Sequence, residues 1–194
     1  MTGIDFSTWR LIGGGSERKC YQDPQNPARL IKISPKENAK QSLREIEYYQ
    51  SLIDHKVPFD HIPRFYGKYE QDGFIGVEQE LILASPDSPN RAPRLEEYLD
   101  LPLSDAQITE LHLALDRLKD YLMRWSIVVS DLQISNIVVQ KNDDGIRLVI
   151  IDGLGGTELI PLSNWFKSIC RKKTIRHWAK LCRKITRRNP NVTF

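Results

Sequence analysis

The sequence predicts an α+β fold in two parts, and three observations predict it. Short runs that alternate apolar and polar residues, separated by turn residues, fill the chain before residue 84 and are typical of strands. A stretch rich in proline and polar residues follows at 84–93. Beyond it, apolar residues recur at helical spacing, at positions 108, 111, 115, 118, 122 and 125. We therefore predict a sheet lobe over 1–83, a linker over 84–93 and a reduced, mostly helical lobe over 94–194.

The composition is that of a globular protein. The 194 residues suffice for one domain or two closely packed lobes, and the hydrophobic and charged fractions are 40% and 27%. The three cysteines, Cys20, Cys170 and Cys182, form no close pair, which argues against a disulfide framework or a zinc site. Because the N-terminal residues lack an apolar signal region and no window approaches about 18 consecutive apolar residues, we expect a cytoplasmic protein.

The first lobe is predicted to hold five antiparallel strands and one helix. Asp72-Gly73 is a hairpin signal between the last two strands. Ser34, Pro35 and Glu37 form a capping-box pattern, which predicts a helix from about residue 35 to 53. The predicted strands span 9–13, 18–21, 29–33, 65–69 and 74–83.

The second lobe is predicted to begin with a long helix. Ser104 and Gln107 form a second capping box at the start of its apolar stripe. A turn is expected at 142–145, and a final helical segment over 163–188, with a break near Thr174. The predicted short strands in this lobe span 127–129, 137–140 and 147–151.

A glycine cluster lies between the first two predicted strands and consists of Gly13, Gly14, Gly15 and the following Ser16. Because glycine has no Cβ, backbone amides in such a loop can approach phosphate oxygens closely. Arg18 stands where the last glycine of a G-x-G-x-x-G loop would be, which indicates a stiffer loop at that end. A plain turn is the alternative interpretation.

Lys32 lies at the centre of an apolar strand, where its amine would either reach solvent or serve a site. The next helix offers two carboxylates that could hold this amine. At about 100° per residue, Glu47 falls on a charged face, whereas Glu45 falls with two tyrosines and a leucine. Because a carboxylate among aromatic rings needs a cation, we predict that Glu45 pairs with Lys32.

Two further acidic positions and an amide follow the long helix. Asp131 and Asn136 are five positions apart in a polar loop, and Asp152 ends an apolar strand. The alternative interpretation is an Asx-rich loop with a strand-terminal aspartate that caps a turn.

In this order, the motifs resemble the signature set of protein kinases. That set consists of a glycine loop, a strand lysine, a catalytic loop and a metal-binding aspartate. The resemblance implies that Gly13–Gly15, Ser16 and Lys32 hold the phosphates of ATP, with Glu45 orienting Lys32. It further implies that Asn136 and Asp152 ligate Mg²⁺. Asp131 would accept the proton of the attacking hydroxyl group.

Besides Arg18 in the glycine loop, the chain departs from that set at two further places. Val129 and Ser130 replace the His-Arg pair of the catalytic loop, and Gly153-Leu154 replace Phe-Gly after the metal-binding aspartate. These departures put conventional activation-loop regulation in doubt. They also leave open a nucleotide-binding pseudokinase that acts as a regulatory module, although such a scaffold has no need of Asp131.

The chain also resembles the YrbL family of PhoP regulatory network proteins over nearly its whole length. The segments that carry the resemblance are 18–21 (RKCY), 30–33 (LIKI), 44–49 (REIEYY) and 157–162 (TELIPL), which runs into Trp165 and Lys167. The resemblance implies a bacterial cytoplasmic protein with a kinase-like fold, whose expression is tied to an envelope-stress two-component system.

The charge distribution bears on the partners. Residues 159–194 carry ten Lys and Arg and no acid, whereas residues 1–158 carry 18 basic and 25 acidic residues. Trp165 and Trp178 lie at apolar positions of this basic segment, either as core residues or as anchors at an anionic membrane surface. A nucleic-acid partner is not expected, because no recognised nucleic-acid-binding motif is present.

The last partner to predict is the molecule that would accept the transferred phosphate. Only 42 residues follow Asp152, which is short for the helices on which protein kinases seat peptides. This favours a small-molecule or lipid-linked hydroxyl acceptor, or a compact atypical protein kinase.

Overall fold

The computed structural model describes residues 4–15, 18–71, 73–155 and 164–194, with the backbone alone for 164–170. The chain divides into two compact units, Met1–Phe59 with Pro63–Leu81, and Asp60–Ile62 with Ile82–Phe194. Residues 84–93 fall within the second unit. The assignment of 84–93 as a linker stays a prediction.

The first unit is built on a five-stranded antiparallel sheet with the strand order β1-β2-β3-β5-β4. Its described part holds one α-helix, α1 (Lys40–Asp54). This confirms the predicted sheet with its helix. The strands are β1 (Arg10–Gly14), β2 (Lys19–Gln22), β3 (Arg29–Pro35), β4 (Phe65–Gln71) and β5 (Phe74–Glu80).

Strand β3 is central, and its residues alternate between the two faces of the sheet. Lys32 lies opposite Cys20 of β2 and Val77 of β5, so these residues share one face. Ser34 is on the same face, and its hydroxyl lies 2.8 Å from the hydroxyl of Ser42 in α1. The face that carries Lys32 is therefore the one that meets α1.

The capping box predicted at Ser34 is wrong. Ser34 and Pro35 continue β3 and pair with Ile75 and Phe74, and a 3-10 turn at Lys36–Asn38 precedes α1. The N-cap of α1 is Ala39, which provides no side-chain cap. Pairing with β5 has overridden the local helix signal, and Pro35 is tolerated because it lies beyond Ile33, the last residue of β3 that pairs with β2.

The hairpin between β4 and β5 is the one predicted. Gln71 pairs with Phe74, and Gly73 has the positive φ of 84° that such a tight turn requires. Asp72 lies outside the described residues. Strand β5 ends at Glu80 rather than at the predicted residue 83.

The second unit packs helices around a β-hairpin. The long helix begins as predicted, because the Ser104 hydroxyl accepts from the Gln107 N–H and the Gln107 side chain accepts from the Ser104 N–H. Its leucines Leu111, Leu115, Leu118 and Leu122 are fully buried. The elements are α2 (Leu95–Leu99), α3 (Asp105–Trp125), β6 (Ile137–Asn142), β7 (Gly145–Ile150) and α4 (Asn164–Arg188).

Two predictions for this unit are wrong. Residues 127–129 form no strand, because the Ser130 N–H and hydroxyl both donate to the Gly153 carbonyl and pairing is limited to isolated bridges of Val129. The final helix is not broken near Thr174. Thr174 is buried and lies one helical turn before the buried Trp178, so packing of this face carries the helix through it.

Candidate functional site

The sequence-predicted site residues belong to both units. The glycine cluster, Lys32 and Glu45 lie in the first unit, and Asp131, Asn136 and Asp152 lie in the second. Ser16 lies outside the described residues.

In the first unit, strand β3 and helix α1 bring Lys32 and Glu45 together. The Lys32 Nζ lies 2.9 Å from the Glu45 Oε1, and the two residues are only 5% and 4% exposed. Glu47, the alternative carboxylate, is exposed to solvent. Helical geometry thus identified the carboxylate that faces Lys32, whereas the role of the pair in a nucleotide site stays a prediction.

Arg18 is a site residue that the sequence reasoning missed. Its guanidinium donates to the Glu45 Oε2, so each oxygen of this buried carboxylate contacts a different cation. Arg18 is itself buried. A signal for this contact exists in the pattern of the sheet. Arg18 precedes Cys20 by two positions, and Cys20 lies opposite Lys32, so an extended chain places both basic side chains on one face.

The glycine cluster forms the β1–β2 hairpin. Gly14 pairs with Lys19, and the Gly15 N–H donates to the Arg18 carbonyl at 2.9 Å. Gly13 and Gly15 have no positive φ, and a Cβ on either would meet no atom of the described residues within 4 Å. The fold itself therefore does not require glycine at these two positions. The open space at Gly13 and Gly15 fits a group that approaches the backbone, as a phosphate would.

In the second unit, Asp131 is held by two side-chain amides. Its Oδ1 accepts from the Gln133 Nε2 at 2.7 Å, and its Oδ2 accepts from the Asn136 Nδ2 at 3.1 Å. The Asn136 Nδ2 also lies 3.1 Å from the Asp131 carbonyl. Asp131 is exposed, so its carboxylate is fixed in direction while remaining open to solvent. Such a carboxylate can accept a proton from a bound hydroxyl group.

Asp152 follows β7 and lies between two residues that contact this loop. The Ile151 N–H donates to the Asn136 carbonyl, and a Cβ on Gly153 would lie 3.0 Å from the Asp131 carbonyl oxygen. Gly153 has a φ of 77°, which favours glycine. The Gly153 N–H donates to the Asp152 Oδ1 at 2.9 Å. Glycine is therefore required here by the backbone and by its approach to Asp131.

The oxygen atoms of Asn136 and Asp152 suit magnesium. Asn136 turns its Nδ2 toward Asp131, which leaves its Oδ1 as the acceptor, and Asp152 adds a carboxylate. Mg²⁺ prefers such oxygen ligands and takes phosphates and waters as the others. In the described part of the chain no three His, Cys, Asp or Glu residues cluster as a metal site. A metal here would need ligands beyond the protein.

Helix α4 separates its apolar and basic residues. Trp178, Leu181 and Ile185 are buried, so Trp178 is a core residue and is not available as a membrane anchor. The side chains of Trp165, Lys167 and Cys170 lie outside the described residues. Among the described side chains of α4, the exposed cations are Arg171, Lys172, Arg176, Lys180, Arg183, Lys184, Arg187 and Arg188. None of the helices within the described ranges has the length and apolar character needed to span a bilayer.

Comparison with known sequences decides the family. The family model described as "PhoP regulatory network protein YrbL" matches residues 4–186. The chain belongs to the YrbL family. The YrbL protein of Escherichia coli (strain K12) is 31% identical over 181 residues, which cover 91% of this chain and 85% of that protein. The YrbL protein of Shigella flexneri matches to the same extent. The family resemblance predicted from the sequence is confirmed.

Comparison with solved structures gives the fold of this YrbL-family chain. A crystal structure of a kinase domain aligns with a TM-score of 0.55 and 14% sequence identity, over 78% of this chain. The chain therefore has a kinase-like fold, as its motifs predicted. It spans about half of that kinase domain, 52% of its length.

Proposed function

We propose that this chain is a phosphotransferase that uses ATP and Mg²⁺ on a hydroxyl acceptor. The observation that carries the proposal is the buried Lys32–Glu45 pair beside the glycine hairpin. A buried ion pair is weak evidence of a stabilising role, since apolar residues of similar volume often stabilise a fold as well or better. The pair therefore favours a role other than stability. Glu45 holds the Lys32 ammonium group in one direction, and an ammonium group held in this way is suited to binding phosphate.

Each residue has a role in the proposed reaction. Lys32 and the amides of the glycine hairpin hold the phosphates, and Asn136 and Asp152 ligate Mg²⁺. Mg²⁺ held there would neutralise charge on the phosphates. The acceptor oxygen attacks the γ-phosphorus, the bond from the γ-phosphorus to the β–γ bridging oxygen breaks, and ADP leaves. Asp131 orients the acceptor hydroxyl and takes its proton.

A thermal-shift titration with ATP and Mg²⁺ tests the nucleotide site. Wild type should be stabilised by about 2.7 kcal/mol at a ligand concentration of roughly 100 times Kd. Lys32→Ala should lose most of this ligand-induced shift, whereas Lys36→Ala, an exposed lysine four positions later, should keep it. Each variant is compared with its own ligand-free state, because Lys32→Ala also disturbs a buried pair. Absence of any shift in wild type would refute the proposal.

A nucleotide-binding module without transfer is the second candidate. Arg18 favours it, because this residue replaces the last glycine of the loop and shares Glu45 with Lys32. The Asp131→Asn variant separates the candidates. A transferase should retain ATP binding and lose at least about 100-fold in ATP turnover. A module should show binding without turnover in wild type and in the variant alike.

For the basic face of α4, defined by its exposed cations, we propose contact with an anionic membrane surface. Because Trp178 is buried, the proposed contact rests on electrostatic attraction, worth about 1 kcal/mol per basic residue near the surface. Deleting the segment would remove core residues, so charge reversal is the better test. Lys172→Glu, Lys180→Glu and Arg183→Glu combined should abolish co-sedimentation with phosphatidylglycerol vesicles. The matched control reverses the exposed Lys40, Arg64 and Lys141. Equal loss in both triple variants would contradict the proposal.

A further inference from the structure

Helix α4 contacts the loop that carries Asp131. The Lys184 Nζ donates to the Gln133 Oε1, and the Gln133 Nε2 donates to the Asp131 Oδ1 at 2.7 Å. Lys184 is 51 positions from Gln133 in the chain. A single amide side chain therefore connects the basic helix to the carboxylate proposed to take the acceptor proton.

The chemistry of the three groups fixes the orientation of this amide. An ammonium group can only donate hydrogen bonds, and a carboxylate can only accept them. The Gln133 oxygen must therefore face Lys184, and its NH₂ group must face Asp131. Without the ammonium group, the amide would lose the partner that holds its oxygen away from the carboxylate.

Helix α4 presents Lys184 from a fixed position. Leu181 and Ile185, on either side of Lys184, are fully buried. Near its middle, the His177 Nδ1 lies 3.2 Å from the Val129 carbonyl, two residues before Asp131. At its C-terminal end, the Asn189 Nδ2 donates to the Leu99 carbonyl at 3.0 Å. The helix is thus anchored on both sides of Lys184.

We propose that Lys184 and Gln133 are positioning residues for Asp131. Lys184 holds the Gln133 amide, and the amide holds one oxygen of the carboxylate while Asn136 holds the other. This inference rests on the proposed phosphotransferase function. Neither residue contacts the nucleotide in this scheme, so both act on the turnover number and leave nucleotide affinity unchanged.

The positioning role of Lys184 is tested by initial rates of ATP hydrolysis, measured with Mg²⁺ and with water as the acceptor. Lys184→Met should lower kcat about tenfold and leave the KM for ATP unchanged, because a carboxylate that is less well positioned loses rate rather than binding. Lys184→Arg, which keeps a cationic hydrogen-bond donor, should retain most of the wild-type kcat. Lys141→Met, an exposed lysine of the same unit, should match wild type.

A double-mutant cycle tests the connection through the amide. Gln133→Leu should lower kcat about as much as Lys184→Met, and the two changes combined should lower it little further, because both break one chain of hydrogen bonds. Additive losses, or an equal fall in kcat for Lys141→Met, would overturn the proposal.

Amide hydrogen exchange without nucleotide separates failure of this inference from failure of the proposed function. Exchange over residues 130–136 should be faster in Lys184→Met than in wild type and unchanged in Lys141→Met. Wild-type protein that hydrolyses no ATP would refute the proposed function, and a catalytic role for Lys184 with it. Unchanged exchange in Lys184→Met would overturn the positioning contact whatever the activity.

Discussion

The two units hold their key carboxylates in opposite ways. Glu45 in the first unit is 4% exposed and contacts two cations, Lys32 and Arg18. Asp131 in the second unit is exposed and contacts two neutral amides, Gln133 and Asn136. Ionised groups tolerate burial only with ionic partners, whereas an exposed carboxylate keeps its solvation and needs partners only for direction. Glu45 therefore compensates the two buried cations of its unit, and Asp131 is available for chemistry.

Removing the charge of Glu45 should have the largest effect on stability. Glu45→Gln takes away the carboxylate that Arg18 and Lys32 both contact, and breaking a buried ion pair costs about 3–5 kcal/mol. Urea unfolding measures the loss of unfolding free energy. Glu47→Gln, on the exposed face of the same helix, should change it by less than about 0.5 kcal/mol. A similar small change in both variants would remove the contrast between the units.

The next largest effect is expected at Gly153, which supports Asp131 through the backbone. Gly153→Ala should cost about 2 kcal/mol, because its φ of 77° is unfavourable for alanine and a Cβ would crowd the Asp131 backbone. Gly67→Ala introduces a Cβ with no neighbour within 4 Å and no positive φ, and serves as the control. Equal unfolding free energies of the Gly153→Ala protein and wild type would show that the loop does not depend on this turn.

Within the second unit, burial changes the pKa of His61, and this change makes the stability depend on pH. Burial lowers the pKa of His61, with Arg147 and Arg117 acting in the same direction, while a hydrogen bond to the Leu148 carbonyl and the charge of Asp60 oppose the shift. As the pH falls below about 6.5, the unfolded chain takes up the proton before the folded one. The stability provided by neutral His61 is therefore present above that pH and is lost below it.

The corresponding experiment compares unfolding free energies at about pH 7.5 and pH 5.5. Wild type should lose more unfolding free energy on acidification than His61→Asn, which keeps an N–H donor and does not titrate. An identical pH dependence of the two proteins would show that His61 is not the responsible group.

The smallest effect on stability is expected at Asp131. Because this carboxylate is exposed, Asp131→Asn should change the unfolding free energy by less than about 0.5 kcal/mol. The same variant is the one expected to lose turnover. A large loss of stability would place Asp131 with Glu45 as a structural carboxylate and would end the comparison.

Local patterns predicted the parts of the fold in which local and long-range interactions agree. The capping box at Ser104 begins α3 as predicted, because the Ser104 and Gln107 side chains each accept from the backbone N–H of the other residue. The similar pattern at Ser34 failed, since pairing of Ser34 and Pro35 with β5 provides backbone partners that a helix start would lose. A sequence window of a few residues contains no information about that pairing.

The same limit applies to the site. Helical geometry identified Glu45, because the choice depended on residues of one helix. The Arg18–Glu45 and Lys184–Gln133 contacts join residues 27 and 51 positions apart, and neither belongs to a motif. Arg18 could be found only from the register of β2 against β3, and Lys184 only from the packing of α4.

The strand order of the sheet bears on how the chain avoids self-association. Within the first unit, β1 and β4 are the outer strands, and an outer strand can recruit another chain through its free backbone groups. Strand β4 places Lys68 and Glu70 at two of its three exposed positions, and charges of this kind disfavour such intermolecular pairing. On the opposite side, β1 is short, ends in two glycines and is interrupted by a bulge, which gives an incoming strand a poor template for aggregation.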